Sequence, residues 1–289
     1  MFLVTGATGG IGRRIVRLLR TRDVDVRAFT RLTSRYGELE HRGAEIFIGD
    51  LGFEADIQKS CQGVQYVISA HSCDGDALLD YRTNIQLIDQ AKASGVEHFV
   101  FISVLGADRG YEDATVFKAK RAIEKYLIAS GLSYTILRPS GLASNLLPLA
   151  EQFRETGIYL LIGDAKNRTS IVSTDDLARI AVDSVTALGA RNQIFPVGGP
   201  EILMREDIPK IFSRIFSQKP IVINPPLFLF DGLRSTLVLF DQAQKALGTL
   251  RTLLNNEFFC SPEEIARLEA VFDFQMETLE TFLRRYLAI

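Results

Sequence analysis

Cysteine and histidine are scarce in this chain of 289 residues. Cys61, Cys73 and Cys260 lie far apart and form no CxxC pair. A disulfide framework and a zinc cluster are therefore not expected, and a reducing compartment fits. His41, His71 and His98 have no metal-ligand spacing, so no metal is expected either. An excess of one charge is also missing. Lys plus Arg number 33 and Asp plus Glu 35, a net charge of −2, which calls for no nucleic-acid partner. Long apolar runs are missing too. The opening Met1-Phe2-Leu3-Val4-Thr5-Gly6 is too short an apolar stretch for a secretory leader. The most apolar region, 221–240, is broken by Asn224, Pro225, Pro226, Asp231 and Arg234, so no integral membrane span is expected. A soluble cytoplasmic protein is the expectation, with the plastid stroma left open.

What is present suits a globular α/β protein. Hydrophobic residues make up 47% and charged residues 24%. The length allows two domains or one large α/β unit with a sizeable core. Short β-branched runs over 2–5, 24–30, 45–48, 64–69, 98–103 and 133–137 read as strands. Ile11, Ile15, Leu18 and Leu19 mark one face of a helix, and further helices are predicted over 79–94 and 114–130. Strands alternating with helices at this spacing imply βαβ units and a parallel sheet with helices on both faces. Downstream, Ser173 or Thr174 is the expected N-cap of a helix that begins with Asp175 and Asp176. Gln193–Val197 is a further strand. Beyond Arg205 the pattern is mostly helical, with one strand within 220–224. The resulting division is a nucleotide-binding unit over 1–143 and 169–198, and a smaller, mainly helical cap over 144–168 and 199–289.

The sharpest motif is Gly6-Ala7-Thr8-Gly9-Gly10-Ile11-Gly12, between the first strand and the first helix. Gly6 permits a tight turn, Gly9 lets backbone amides approach a pyrophosphate, and Gly12 lets the helix pack close to the sheet. The helix N-terminus adds partial positive charge. Thr8, Gly10 and Ile11 complete the loop of expected dinucleotide contacts. The second strand ends in Thr30-Arg31, without the carboxylate that bonds the ribose hydroxyls at NAD-selective sites. A guanidinium there holds a 2′-phosphate bidentately, so NADP(H) is expected, with Arg13 and Arg35 as further sources of charge. Asp50 and Leu51 after the third strand, and Ser69 ending the fourth, join the expected coenzyme contacts. Asp50 is equally well read as a turn residue.

Ser103 ends the fifth strand, where residues face the ligand crevice. Val116, Lys120, Ile123 and Leu127 form one helical stripe facing the sheet. A lysine on a buried stripe needs partners, and the nicotinamide ribose hydroxyls are the expected ones. Ser103 and Lys120 are the catalytic candidates. The position four residues before Lys120 is Val116, so the tyrosine of a YxxxK pair is missing. Tyr81 and Tyr134 are not expected to replace it.

With its GxxGxxG spacing, the chain resembles the NmrA-like atypical short-chain dehydrogenase/reductases. The resemblance also rests on Arg31, Gly49-Asp50-Leu51, Phe117–Glu124 with Lys120, Ser130–Pro139, and Ser173–Ala178. It covers about residues 1–200. It implies a Rossmann-type doubly wound sheet, Asp50 beside the adenine ring, and a lysine retained where the tyrosine is often absent. It also implies that Arg138-Pro139-Ser140 leads into a loop near the nicotinamide. Pro139 is then a coenzyme contact, and Ser140, Gly141 and Asn145 are substrate contacts. The C-terminal half loosely resembles divinyl chlorophyllide reductases and photosystem II assembly factors.

Leu227, Phe228, Leu229, Phe230, Leu233, Leu237, Val238, Leu239 and Phe240 make a very apolar segment. It reads chiefly as buried core. The sharper alternative is a pocket for a large apolar substrate, or a patch for a protein partner or a second subunit. An NADPH-dependent reductase of an apolar conjugated or carbonyl substrate is the leading function. A non-catalytic NADP-binding redox sensor or assembly factor is the alternative, favoured by the missing tyrosine.

Overall fold

The computed structural model describes residues 1–73, 76–111, 114–225 and 241–288, with the side chains of all of these except 241–247. The apolar segment over 227–240 lies outside the described residues. Seven strands form one sheet: β1 (Phe2–Thr5), β2 (Val26–Thr30), β3 (Glu45–Ile48), β4 (Tyr66–Ser69), β5 (His98–Ile102), β6 (Tyr134–Pro139) and the strand Gln193–Val197. Their spatial order is β3-β2-β1-β4-β5-β6 followed by Gln193–Val197, and every neighbouring pair is parallel. Parallel strands are covered on both faces and so carry near-continuous apolar runs. β1 shows this, with all four residues of Phe-Leu-Val-Thr buried.

The period-2 alternation then sorts each strand between two helical layers. Phe2, Val4, Ile68 and Val100 face a core shared with α1 (Gly10–Thr21) and α7 (Thr174–Asp183). Leu3, Val67, Phe99 and Phe101 face the opposite core, shared with α3 (Glu54–Ser60), α4 (Ala77–Ala93) and α5 (Thr115–Ala129). This is the doubly wound arrangement that the strand–helix alternation implies. On α1 the buried stripe is Ile11, Ile15, Val16 and Leu19, while Leu18 lies at its edge. Each such side chain contributes about 1.5–3 kcal/mol on burial. That burial holds a helix whose N-cap, Gly9, has no side-chain hydrogen bond.

The order reverses between β1 and β4, because β2 and β3 lie on one side and β5 and β6 on the other. A crevice opens at such a switch point, outside the carboxyl ends of the strands. Two short helices were not anticipated: α2 (Gly37–His41) and α3. Neither is long enough to show a full apolar period. α2 is held instead by Glu38, whose carboxylate takes Arg13, Arg17 and Arg42. The hydrogen bonds from these guanidiniums, Arg17 foremost, hold Glu38 down at about 2.

The cap has its own core, in which Phe153 of α6 (Leu147–Thr156) and Phe212 of α8 (Asp207–Phe216) meet Phe282 of the helix Leu279–Leu287. The helix Pro262–Phe272 sits elsewhere. Its Ile265, Leu268 and Phe272 join the core of α1 and α7, and Phe272 packs edge-on against Phe195 of the last sheet strand. Part of the 199–289 segment therefore completes the sheet's helical layer instead of the cap. The helix starts at a capping box, Ser261 with Glu264.

Of the two capping candidates on α7, Ser173 is the N-cap. Its hydroxyl accepts from the Asp175 and Asp176 amides. Asp175 then gathers Arg14, Arg285 and the Tyr286 hydroxyl. The Arg14 guanidinium also donates to the Gly10 carbonyl at 2.8 Å and lies 4.8 Å from the centre of the Tyr286 ring. The helix Leu279–Leu287 is thus tied to the start of α1. Among the described residues, no helix is long and apolar enough to cross a membrane, and no cluster of His, Cys, Asp and Glu could hold a metal.

Candidate active site

The glycine loop closes tightly onto the ends of β1 and β4. Gly6 has φ +68°, and a Cβ there would lie 2.6 Å from the Ala70 carbonyl oxygen. A Cβ on Gly12 would lie 2.1 Å from the Gly6 carbonyl oxygen. Gly12 therefore lets α1 press against the loop itself, a closer neighbour than the sheet. The Gly9 amide donates to the Gly6 carbonyl at 2.9 Å. The first-turn amides of α1 have no acceptor within the helix, and the positive end of its dipole lies at the loop.

A cleft of about 700 Å³ opens at this switch point. Gly6, Thr8, Gly9, Arg31, Asp50 and Leu51, all expected from the sequence, line it together. Gly10, Ile11, Gly12, Arg13, Ser69, Ser103, Lys120 and Pro139 lie outside its wall. The Arg13 guanidinium is already engaged. It bonds the Glu38 carboxylate at 3.0 Å and the carbonyls of Thr8 and Arg35. Arg31 is exposed and makes no ion pair among the described residues. Asp50 is a turn residue placed on the cleft wall. Its side chain accepts from the Gly52 amide at 2.8 Å, a turn bond, and the residue also lines the cleft.

The cleft has a polar wall that the sequence reading did not anticipate. His71 stands two residues beyond β4 and is 8% exposed. Its Nδ1 lies 2.8 Å from the Thr5 hydroxyl and 3.3 Å from that of Ser69. The Ser69 hydroxyl donates to Asn84 Oδ1 at 2.7 Å, which turns the Asn84 amide nitrogen toward His71 Nε2 at 3.0 Å. Nε2 is then the acceptor and Nδ1 carries the proton. Asn84 also bonds Asp80, whose carboxylate takes Lys120 Nζ at 3.1 Å. Asp80 and Asn84 stand at i, i+4 on the buried face of α4. That buried polar pair is the sequence signal for this network.

Burial, followed by the charge of Lys120, holds the His71 imidazole down at about 3. The unfolded chain takes up that proton near 6.5. Between these values the unfolded state binds more protons, so stability is full above about pH 6.5 and falls as the pH drops toward 3. His71→Gln should remove this slope. Denaturant titrations at pH 7 and pH 4.5 should show the wild type losing about 2 kcal/mol more than the variant over that interval. An equal loss would show that His71 is not held neutral.

Lys120 is buried on its stripe, as the periodicity predicts. Its partner, however, is Asp80 of α4, with the Phe101 ring 5.0 Å from Nζ. The cost of burying the ammonium is met inside the protein, so burial alone does not require a ribose there. Ser103 is 6% exposed, and its hydroxyl donates to Glu124 Oε1 at 2.7 Å. Glu124 is fully buried and holds Arg138 through two bonds, at 2.8 and 2.7 Å, while Arg138 also reaches Asp108. Ser103 thus belongs to a buried ionic cluster beneath the loop after β6. Neither Tyr81 nor Tyr134 lines the cleft.

A second cavity, of about 330 Å³, lies beside that loop, between the sheet unit and the cap. Ser140, Gly141 and Asn145, the expected substrate contacts, all line it. Most of the remaining wall is apolar, including Leu142, Leu146, Leu161 and Phe258. The two cavities are distinct, one at the glycine loop and one at the cap. The first fits a dinucleotide by its polar groups: loop amides and a cationic side chain without a counter-ion among the described residues as donors, and a turn carboxylate as acceptor.

A family described as NAD(P)H-binding matches residues 6–187, which include the loop, Arg31, Lys120 and α7. The chain belongs to the NAD(P)H-binding family. Within that frame it is similar to the NAD(P)H azoreductase of Xenophilus azovorans, 30% identical over 74% of this chain and 73% of that one. It is similar to the photosystem II assembly factor Ycf39 of Cyanophora paradoxa, 26% identical over 98% of this chain and 91% of that one. Its fold matches an NADPH-dependent quinone oxidoreductase of Escherichia coli solved with NADPH. The TM-score is 0.81, with 21% identity over 99% of this chain and 100% of that one. The fold is a Rossmann-like α/β fold.

Proposed function

We propose that the protein is an NADPH-dependent reductase of the NmrA-like atypical short-chain type, acting on an apolar conjugated or carbonyl substrate. The observation that carries the choice of coenzyme is Arg31, a guanidinium at the end of β2 that lines the cleft without an ionic partner among the described residues. Reduced nicotinamide, when bound, supplies the hydride. The chain's share is binding and orientation. The amides of the glycine loop and the N-terminus of α1 hold the diphosphate, and Arg31 holds the 2′-phosphate. Asp50 and Leu51 flank the adenosine side of the cleft. The His71–Asn84–Asp80–Lys120 network keeps the opposite wall fixed and neutral at His71. Ser140, Gly141 and Asn145 face the substrate cavity. With Val116 in place of the tyrosine, solvent or the substrate supplies the proton.

The similarity to an azoreductase supports this reading, and Val116 supports a second one. In that reading the protein binds NADP(H) without turnover, as a redox sensor or an assembly factor for a partner complex. The similarity to Ycf39 along nearly the whole chain favours it. Incubation with NADPH and a panel of quinones, azo dyes and enones separates the two. Loss of the reduced-nicotinamide absorbance supports the reductase, and tight binding with no loss supports the sensor. Failure to bind either nicotinamide coenzyme sinks both.

Coenzyme selection has its own test. Charge-assisted bonds contribute about 1.5–3 kcal/mol. Arg31→Ala should therefore weaken NADPH binding roughly tenfold or more and leave NADH binding unchanged. Fluorescence titration with both coenzymes measures this. Equal weakening of the two would remove Arg31 from phosphate recognition.

A further inference from the structure

The cavity beside the loop after β6 is apolar over most of its wall, and its charged side chains are both arginines, Arg168 and Arg205. They are not equivalent. Arg168 is neutralised by Glu257, which takes its Nε and Nη2, each at 2.7 Å. Arg205 has no carboxylate within ion-pair distance among the described residues. Its two terminal nitrogens reach only carbonyls: Ile162 at 3.1 Å, Leu254 at 2.7 Å, and those of Leu253 and Asn256. Leu253 and Leu254 stand in the last turn of the helix Asp241–Asn255, so their carbonyls are free to accept. Such dipoles solvate a cation without cancelling its charge, and no bond from Arg205 Nε to a described residue is present. Burial lowers the Arg205 guanidinium below its ordinary value, and the charge of Asp164, which makes no ion pair with it, offsets this only in part. Burial also pushes the Tyr159 phenol up to about 12, so the wall's tyrosine adds no negative charge.

Among the described residues, the cavity is therefore an apolar chamber with one positive charge that no carboxylate contacts, Asp164 acting on it only at longer range. A wholly apolar occupant would strip water from that charge and return nothing, which is costly. An occupant with its own negative group would pair with it. We propose that this cavity takes an organic anion, an apolar or aromatic body carrying one carboxylate or sulfonate, with Arg205 as its counter-ion. The proposal rests on reading the cavity as the substrate pocket, and it narrows the substrate class from apolar to amphiphilic and anionic. A volume of about 330 Å³ is at the small end for small-molecule pockets.

The test compares two dyes with one skeleton: 1-anilinonaphthalene-8-sulfonate and its uncharged parent, N-phenyl-1-naphthylamine. At low salt, where ion pairing is least screened, the wild type should bind the sulfonate at least tenfold more tightly. Arg205→Met should weaken the sulfonate by tenfold or more and leave the amine unchanged. Arg205→Lys should keep most of the preference. Arg205 also holds helix carbonyls, so a folded variant is not assured, and the wild type carries an independent measurement. Decanoate should displace the sulfonate dye at concentrations at least tenfold lower than decanol.

The site of binding is checked by Leu160→Trp, on the cavity wall and 52% exposed. The natural chain has no tryptophan, so this single donor should be quenched by energy transfer as the dye binds. Equal affinity for the two dyes, equal displacement by acid and alcohol, or an unquenched tryptophan would each overturn the proposal. No coenzyme is present in these measurements. Their failure leaves the reductase reading standing, and failure to bind NADPH leaves them standing.

Discussion

Gly12→Ala should reduce NADPH affinity by about 100-fold in a protein that still folds. The added methyl would sit 2.1 Å from the Gly6 carbonyl oxygen and 2.9 Å from Ala7 Cα, both main-chain atoms that cannot swing aside. The loop must move by about an ångström to admit it, and misplacement on that scale costs on the order of 10² in function. The cost to stability is smaller, about 1–3 kcal/mol, the usual range for overpacking by a methyl. Gly6→Ala should be worse. It adds the left-handed backbone penalty of about 1–2 kcal/mol to a clash 2.6 Å from the Ala70 carbonyl oxygen. Isothermal titration with NADPH, with a thermal melt as control, measures both. A well-folded Gly12→Ala protein with unchanged affinity would mean that the loop does not hold the coenzyme.

The largest expected loss of stability comes from Glu124→Ala. Glu124 is fully buried and takes bonds from Ser103 and Arg138, with Arg121 at 3.1 Å. Removing it leaves the Arg138 guanidinium, 7% exposed, with the half-exposed Asp108 as its one remaining ionic partner among the described residues. Breaking a buried pair in this way costs about 3–5 kcal/mol. For a chain of this size that corresponds to a fall in Tm of roughly 10 °C. Adding Arg138→Met should recover much of the loss, because the orphaned charge leaves with it. Ser103→Ala should cost only about 1 kcal/mol, the worth of one hydrogen bond. If Ser103→Ala instead abolished NADPH oxidation at unchanged Tm, its hydroxyl would be serving the reaction. A Glu124→Ala protein as stable as the wild type would remove the cluster from the account of what holds the loop after β6.

The layered sheet was legible because parallel strands buried on both faces are written as short apolar runs, and helices such as α1 are written as a 3.6-residue stripe. That Gly6, Gly9 and Arg31 share one cleft was legible because they stand at the carboxyl ends of two adjacent parallel strands within a short stretch of chain. Three features were not. α2 and α3 span five and seven residues, less than the window in which a period shows. The partner of Lys120 lies on a different helix, and sequence spacing does not report contacts between α4 and α5. His71 gains its role from Thr5, Ser69 and Asn84, brought together from three elements. The burial of Lys120 was foreseen, but the carboxylate satisfying it was not. The helix Pro262–Phe272 shows a related limit, since its apolar face suits the cap core and the sheet layer equally.

The Arg14 guanidinium has a consequence for how variation spreads through this protein. One side chain touches the Gly10 carbonyl, the Asp175 carboxylate and the face of the Tyr286 ring. Residues at opposite ends of the described chain are therefore one guanidinium apart. Drift in the helix Leu279–Leu287, remote from both cavities by sequence, is inherited by the glycine turn at the start of α1. Relatives that differ there would carry different coenzyme affinities with every glycine of the motif intact.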